Sequence, residues 1–303
     1  MKDNAASITA AGIAKTFVFK NGDPNYSKIL DSNIFDISYN YLETAIGKKA
    51  LLYKLFGKIK LFQNLYHLSE IILAPGISNH YLIRKSKIEN LIYQFHEKMN
   101  GCQQLVILGA GADSLGYRIA NAKENIKVFE IDHPATQNIK KKTIVNNYPP
   151  KNNLTFIPAD LSKKSLKETL SNIENFSFSE KTIFVAEGLI MYLKLEDVKK
   201  LFNIMQEFPK EMVYFIFTYM ELNSKGKPLY VEQASVLSYL LKLYGEEIFW
   251  GLKPKDLDNF IKELNFKPGP HFDRDLLKSE YKYLFNNNDF LLLKGENITY
   301  IQN

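Results

Sequence analysis

Three residues carry the first chemical signal. Gly109 and Gly111 close an apolar run, Leu105–Leu108, and Asp132 supplies an acid about 20 residues further on. Glycines directly after a strand let the backbone turn sharply and admit a ligand where a Cβ would block it. An acid at the tip of the next strand, Lys127–Asp132, stands where nucleotide-binding α/β proteins hold a ribose diol. Taken singly, Gly109-Ala110-Gly111 reads equally as a tight turn, and Asp132 as the cap of the following helix; at this spacing the two predict a nucleoside site. The third glycine of a dinucleotide fingerprint would fall at position 114, which is Ser114, so a pyrophosphate is disfavoured and another adenosyl ligand fits better. Asp113 or Ser114 can instead cap the helix that follows the turn.

Two further acids end strand-like runs. Asp160 follows Leu154–Ala159, where it can hold a ligand or cap a helix from Ser162 onward. Glu187 follows Lys181–Ala186 and is thereby delivered to the carboxyl edge of a parallel sheet, the edge at which such sheets bind ligands. Arginine is rare here: Arg84, Arg118 and Arg274 stand among 39 basic residues, the rest lysines. Where arginine persists against that bias, a planar bidentate fork is the property lysine lacks.

The elements that must position these residues alternate in type. Strands are predicted at Leu105–Leu108, Lys127–Asp132, from Leu154, at Lys181–Gly188, at Glu211–Met220, from Phe266 and at Phe290–Lys294. Helices are predicted from Pro134, over Leu195–Phe208, over Lys253–Asn265 and over Asp273–Phe285. Such a pattern predicts an α/β fold with a mostly parallel sheet covered on both faces. Residues 1 to 100 read as a helical cap integral to the domain: Ser7 and Thr9 offer caps before an Ala-rich turn, Asn21-Gly-Asp-Pro24 breaks the chain, Ile37–Leu73 is interrupted near Gly47 and Gly57, and Asn79–Lys98 forms an apolar stripe. The remainder, 101 to 303, is the core, with an aromatic-bearing insert at about 221–252 bearing Tyr230, Tyr239, Tyr244, Phe249 and Trp250 above the ligand edge.

Gly109-Ala-Gly111-Ala-Asp113-Ser114, Phe129-Glu-Ile-Asp132-His-Pro134, Ala159-Asp160-Leu161 and Ala186-Glu187-Gly188 with Met191-Tyr192 resemble the leucine carboxyl methyltransferase family, and within it the bacterial O-methyltransferases of polyketide-type small molecules. The similarity runs from about Ser7 to Leu293. It implies a Rossmann-like, seven-stranded methyltransferase sheet whose last strand inserts antiparallel between the fifth and sixth, and S-adenosylmethionine as cofactor. By the same resemblance Arg84, with Lys15, meets the methionine carboxylate, Glu187 the ammonium, Asp132 the ribose, and Asp160 the adenine amino group beside Leu161. Gly109, Ala110, Gly111 and Asp113 complete the cofactor loop. Tyr192 lies near the reacting centre and, with Tyr219, faces the acceptor.

Methyl transfer from a sulfonium is an in-line displacement governed by alignment and exclusion of water. A carboxylate acceptor, with a reference pKa near ~4, is already ionised, whereas a phenol or alcohol must lose a proton. The sequence offers no committed base, which leans towards a carboxylate. Methylation of a protein C-terminal carboxylate is the near rival. A nicotinamide dehydrogenase would need glycine at Ser114, and a cofactor-binding protein without catalysis is the third alternative.

Composition narrows the partners. The net charge of +6 is spread along the length without a basic arm, so no nucleic acid is expected, and the small-molecule acceptor is the partner class that remains. The longest apolar run, Met212–Met220, is strand-like and far short of the ~18 residues a spanning helix needs, so neither signal peptide nor membrane partner is expected. One cysteine, Cys102, excludes an intrachain disulfide and is compatible with the cytoplasm. The five histidines are scattered without ligand spacing, and no metal is expected.

Overall fold

The computed structural model describes residues 7–230, 233–234, 239, 242–243 and 245–303. Its centre is a seven-stranded sheet in the order β3-β2-β1-β4-β5-β7-β6. The strands are β1 (Gln104–Leu108), β2 (Lys127–Asp132), β3 (Leu154–Pro158), β4 (Thr182–Ala186), β5 (Val213–Met220), β6 (Lys267–Pro268) and β7 (Glu296–Gln302). All neighbouring pairs run parallel except those made by β7, which is antiparallel to both β5 and β6. This is the topology expected from the resemblance.

Side chains alternate across each strand, so two apolar layers form. Leu105, Ile107, Val128, Ile183 and Val185 face one layer, and Val106, Leu108, Phe129, Ile131 and Phe184 the other. The first is covered by α6 (Ile77–Lys98), α7 (Leu115–Ala122) and α12 (Arg274–Tyr281), and the second by α9 (Leu166–Ser171), α10 (Leu195–Asn203) and α11 (Pro254–Glu263). The predicted Asn79–Lys98 stripe therefore belongs to the sheet core: Ile83, Ile88, Leu91, Ile92 and Phe95 pack directly on it. The rest of the N-terminal region, α1 (Ile8–Lys20), α2 (Pro24–Ser27), α3 (Asn33–Ile46), α4 (Ala50–Phe56) and α5 (Lys60–Leu73), lies outside that layer. Gly47 ends α3 at φ +65°, and Gly57 lies between α4 and α5 where a Cβ would sit 3.2 Å from the carbonyl oxygens of Tyr53 and Val18. α8 (Pro134–Asn147) follows β2 with His133 as its cap, its Nδ1 accepting from the Ala135 amide.

The last strand falsifies one expectation. Phe290–Lys294 is irregular, and β7 is the more polar stretch Glu296–Gln302. Phe290, Leu292 and Leu293 of the apolar run are buried while Leu291 is 50% exposed, and the run's backbone is taken by the turn before α6. A Cβ on Gly76 would come within 2.5 Å of the Leu291 carbonyl carbon, and the Asn79 amide donates to Leu291 O at 2.9 Å. The polar residues of β7 can be buried because each finds a partner: Thr299 donates to Pro270 O at 2.9 Å, and Asn297 to the Tyr219 hydroxyl at 3.2 Å.

Register brings the candidate residues together. Leu108 pairs with Ile131 and with Ala186, and Asp132 pairs with Pro158. Gly109, Asp132, Asp160 and Glu187 consequently emerge side by side at the carboxyl edge.

Candidate active site

The glycine turn is shaped by the acid it was predicted to face. Gly109 and Gly111 have φ of +66° and +53°. The Gly111 amide donates to Asp132 Oδ2 at 2.5 Å, and the His133 amide to Oδ1 at 2.6 Å. Burial nevertheless pushes the Asp132 carboxyl above its usual range, the two amides only partly offsetting that push. Beneath the turn, Lys140 Nζ reaches the Ala110 carbonyl at 3.4 Å and the buried Glu130 at 2.9 Å. Ser114 points inward instead, accepting from Arg118 Nε at 3.1 Å, while Arg118 grips both oxygens of Glu89 at 2.6 Å. The arginine fork is thus spent on tying α7 to α6.

Asp113 does two things. Its Oδ1 accepts from the Leu115 amide at 3.1 Å, capping α7, and its Oδ2 accepts from Lys85 Nζ at 2.6 Å. Burial opposes its charge, but Lys85, Arg118 and Lys140 together outweigh that and hold the carboxyl well below the usual carboxylate range. Lys85 also donates to Glu187 Oε1 at 3.2 Å, which Arg84 Nε meets at 2.8 Å. The other arm of Arg84 donates to Glu296 Oε2 at 2.6 Å, where His80 Nε2 at 2.8 Å and the Tyr230 hydroxyl at 2.7 Å converge. Burial works against ionisation of Glu296, and Arg84, His80 and Tyr230 overcome it, leaving the carboxyl well below its usual range. The Gly188 amide donates to Thr218 Oγ1 at 2.8 Å, which fixes the turn that presents Glu187.

All of the predicted cofactor residues except Lys15 line one crevice: Arg84, Gly109, Ala110, Gly111, Asp113, Asp132, Asp160, Leu161 and Glu187. Asp160 Oδ1 accepts from the Ser162 amide at 3.0 Å and from its hydroxyl at 2.6 Å, but what it closes is a turn, since the next helix, α9, begins at Leu166 and is capped by Ser165. Lys15 stands elsewhere. The crevice face of α1 is Ala10, Ile13, Ala14 and Phe17, and helical spacing turns Lys15 away, its ammonium 5.0 Å from the Tyr53 ring centre.

Tyr192 also lines the crevice, and burial pushes its hydroxyl up to about 12 despite an opposing hydrogen bond with Thr9. Tyr219 does not. The alternation along β5 turns it into the core, where its hydroxyl meets His271 Nδ1 at 2.8 Å and Asn297. His271 Nε2 in turn meets Asp258 at 2.8 Å. Of the insert aromatics, Tyr230 reaches the crevice, Trp250 packs in the core against Phe260, Tyr239 and Phe249 are exposed, and Tyr244 lies outside the described residues.

Sequence reasoning missed Lys85, Glu296 and Glu246. Lys85 follows Arg84 directly, and nothing in the sequence sets it apart from the other lysines. Glu296 lay beyond the strand that was misplaced. Glu246 is buried in the insert, where it accepts the Ile8 and Thr9 amides at 2.9 Å each and the Thr9 hydroxyl, clamping the start of α1 over the crevice. No periodicity or spacing announces such a long-range contact.

The sheet order, with its antiparallel seventh strand and an acid-and-glycine crevice at the strand ends, defines a Rossmann-like fold of the methyltransferase type. A family model described as leucine carboxyl methyltransferase matches residues 40–206, and the chain belongs to that family. It is similar to a Bacillus subtilis (strain 168) protein named "Putative S-adenosyl-L-methionine-dependent methyltransferase YktD", at 35% identity over 38% of this chain and 37% of that one. The matched stretch thus covers little more than a third of that relative's length. Among solved structures, a protein from Thermobifida fusca YX titled a "putative methyltransferase" superposes with a TM-score of 0.53 at 14% identity, covering 87% of this chain and 93% of that one. A DUF574 family protein from Streptomyces avermitilis MA-4680 does so with a TM-score of 0.55 at 8% identity, covering 87% and 95%. At these identities the two structures speak for the fold alone.

Proposed function

We propose that this protein is an S-adenosylmethionine-dependent O-methyltransferase acting on a small organic molecule, with a carboxylate as the favoured acceptor. The observation that carries the reading is the knot of Arg84, Lys85, Glu187 and Asp113 beside the glycine turn, with paired cations and acids within 2.6 to 3.2 Å of one another. Such a set suits a zwitterionic amino-acid tail, which presents a carboxylate and an ammonium together. Asp132, at the end of the neighbouring strand, suits the ribose diol, and Asp160 with Leu161 the purine. When bound, the cofactor supplies an electrophilic methyl group on a sulfonium.

The residues divide the work. Arg84 and Lys85 bind the carboxylate, Lys85 occupying the role expected of Lys15. Glu187 and the turn at Gly109 orient the tail. Tyr192, with α1 above it, shapes the reacting end and excludes water. A phenol held near 12 is a poor proton acceptor at neutral pH, and Glu246 is already engaged by three donors of α1. An acceptor that arrives ionised needs neither.

Family membership favours a second reading, methylation of a protein C-terminal carboxylate. The clamp of Glu246 on α1 narrows the way in and speaks for the smaller acceptor. Calorimetry with S-adenosylhomocysteine should give saturable binding and with NADH none; the reverse pattern would overturn the assignment and restore the dehydrogenase. Turnover is then expected on some members of a panel of small carboxylic acids, with less on phenols. Methylation of peptide C-termini alone would favour the second reading, and binding without turnover of any acceptor would leave the non-catalytic alternative.

A further inference from the structure

Between Glu43 and Glu70 the sequence contains no acidic residue and five lysines, Lys48, Lys49, Lys54, Lys58 and Lys60. That stretch forms α4 and α5, which behave as one unit: Phe56 and Phe62 stack across the turn at 4.2 Å, and Gln63 donates to Gly57 O at 2.7 Å. One side of α5 is anchored. Tyr66 stacks on Phe19 of α1 at 4.7 Å and meets Thr16 Oγ1 at 2.8 Å, while Glu70 accepts from Ser78.

The opposite side has the wrong composition for water. Leu61, Leu65, Leu68 and Ile72 recur at helical spacing along α5 and are 63%, 51%, 53% and 63% exposed. Leu51 and Leu55 on the neighbouring α4 are also exposed, at 47% and 48%. Isolated exposed leucines need no explanation; a periodic stripe along one helix, with further exposed leucines on the helix stacked against it, marks an interaction surface. Lys48, Lys49, Lys58 and Lys60 are exposed around it.

We propose that α4 and α5 form an interfacial attachment site that lies on an anionic lipid bilayer, the leucines entering the acyl boundary and the lysines meeting lipid phosphates. The chemistry is that of a monotopic amphipathic element, apolar on one side and flanked by lysines without intervening acids. Charge selects this occupant over a second copy of the chain, because two such faces would bring their lysine sets together with no acid to neutralise them. A membrane partner is not expected from apolar run length, and among the described residues no helix is long and apolar enough to cross a bilayer. Surface attachment requires no such run.

The test is co-sedimentation of the full chain with vesicles of phosphatidylcholine alone or with about one-third phosphatidylglycerol. Binding to the anionic vesicles is expected to be at least about tenfold tighter, and the Leu65→Ser, Leu68→Ser double variant should lose at least about tenfold of it while keeping its affinity for S-adenosylhomocysteine. No binding to anionic vesicles would overturn the proposal. So would binding indifferent to the leucine substitutions, which would reduce it to the general basicity of the chain. A dimer in analytical ultracentrifugation that the double variant dissociates, without vesicle binding, would assign the face to a second copy and likewise overturn it.

Discussion

Asp132 shows how a single residue can hold two assignments at once. It caps its own surroundings, taking the Gly111 and His133 amides, and it still lines the crevice. Replacing it with alanine should weaken S-adenosylhomocysteine binding by about 1.5–3 kcal/mol, the scale of a hydrogen bond to a charged group, as read by calorimetry. Unchanged affinity would remove Asp132 from the site. Its raised pKa sets the expected pH dependence: under the proposed function the ionised form accepts from the ribose, so affinity should decline as pH falls through a value above the ordinary carboxylate range. In Asp132→Asn that decline should be absent. Residues of this kind were legible because type and spacing sufficed. Lys85 was not, since nothing in a helix of mixed lysines separates one that is buried against Asp113 from one in solvent.

At the scale of elements, the strands carrying the site were legible because buried parallel strands are continuous apolar runs. β1 and β4 are buried at every position. β7 was missed for the complementary reason. Its burial rests on polar pairs made with distant segments, and local hydrophobicity pointed to Phe290–Leu293, of which Phe290, Leu292 and Leu293 are buried without joining the ladder. The contact between α1 and the insert is equally non-local. Glu246 places a carboxylate on the first amides of α1, where the helix dipole favours negative charge. Glu246→Ala should release roughly 0.5–2 kcal/mol of local stability, seen as faster hydrogen exchange at Ile8 and Thr9 with exchange in β1 unaltered. Equal exchange in the two proteins would mean that the clamp does not hold in solution.

For the molecule as a whole, Glu296 ties the end of the sheet to the helix that carries Arg84 and to the insert through Tyr230. Since its folded pKa lies below the unfolded value of about 4.3, its stabilisation is complete above that value and is lost as pH falls through the lower folded pKa. Glu296→Gln leaves the buried Arg84 guanidinium with Glu187 as its remaining counter-charge and should cost about 3–5 kcal/mol at neutral pH, measured by urea denaturation. The variant should also show a flatter acid limb. A stability within 1 kcal/mol of the parent, on the order of a surface change, would show that the cluster is incidental.

The same pairing has a consequence for biosynthesis. Arg84 and Glu296 are 212 positions apart. At roughly 5–20 residues per second, about 10–40 s pass between the ribosome adding the guanidinium and adding its counter-ion. During that interval the emerging polypeptide cannot bury Arg84 with its charge fully balanced, so the crevice at the carboxyl edge is completed late in translation, when β7 slots between two strands made earlier.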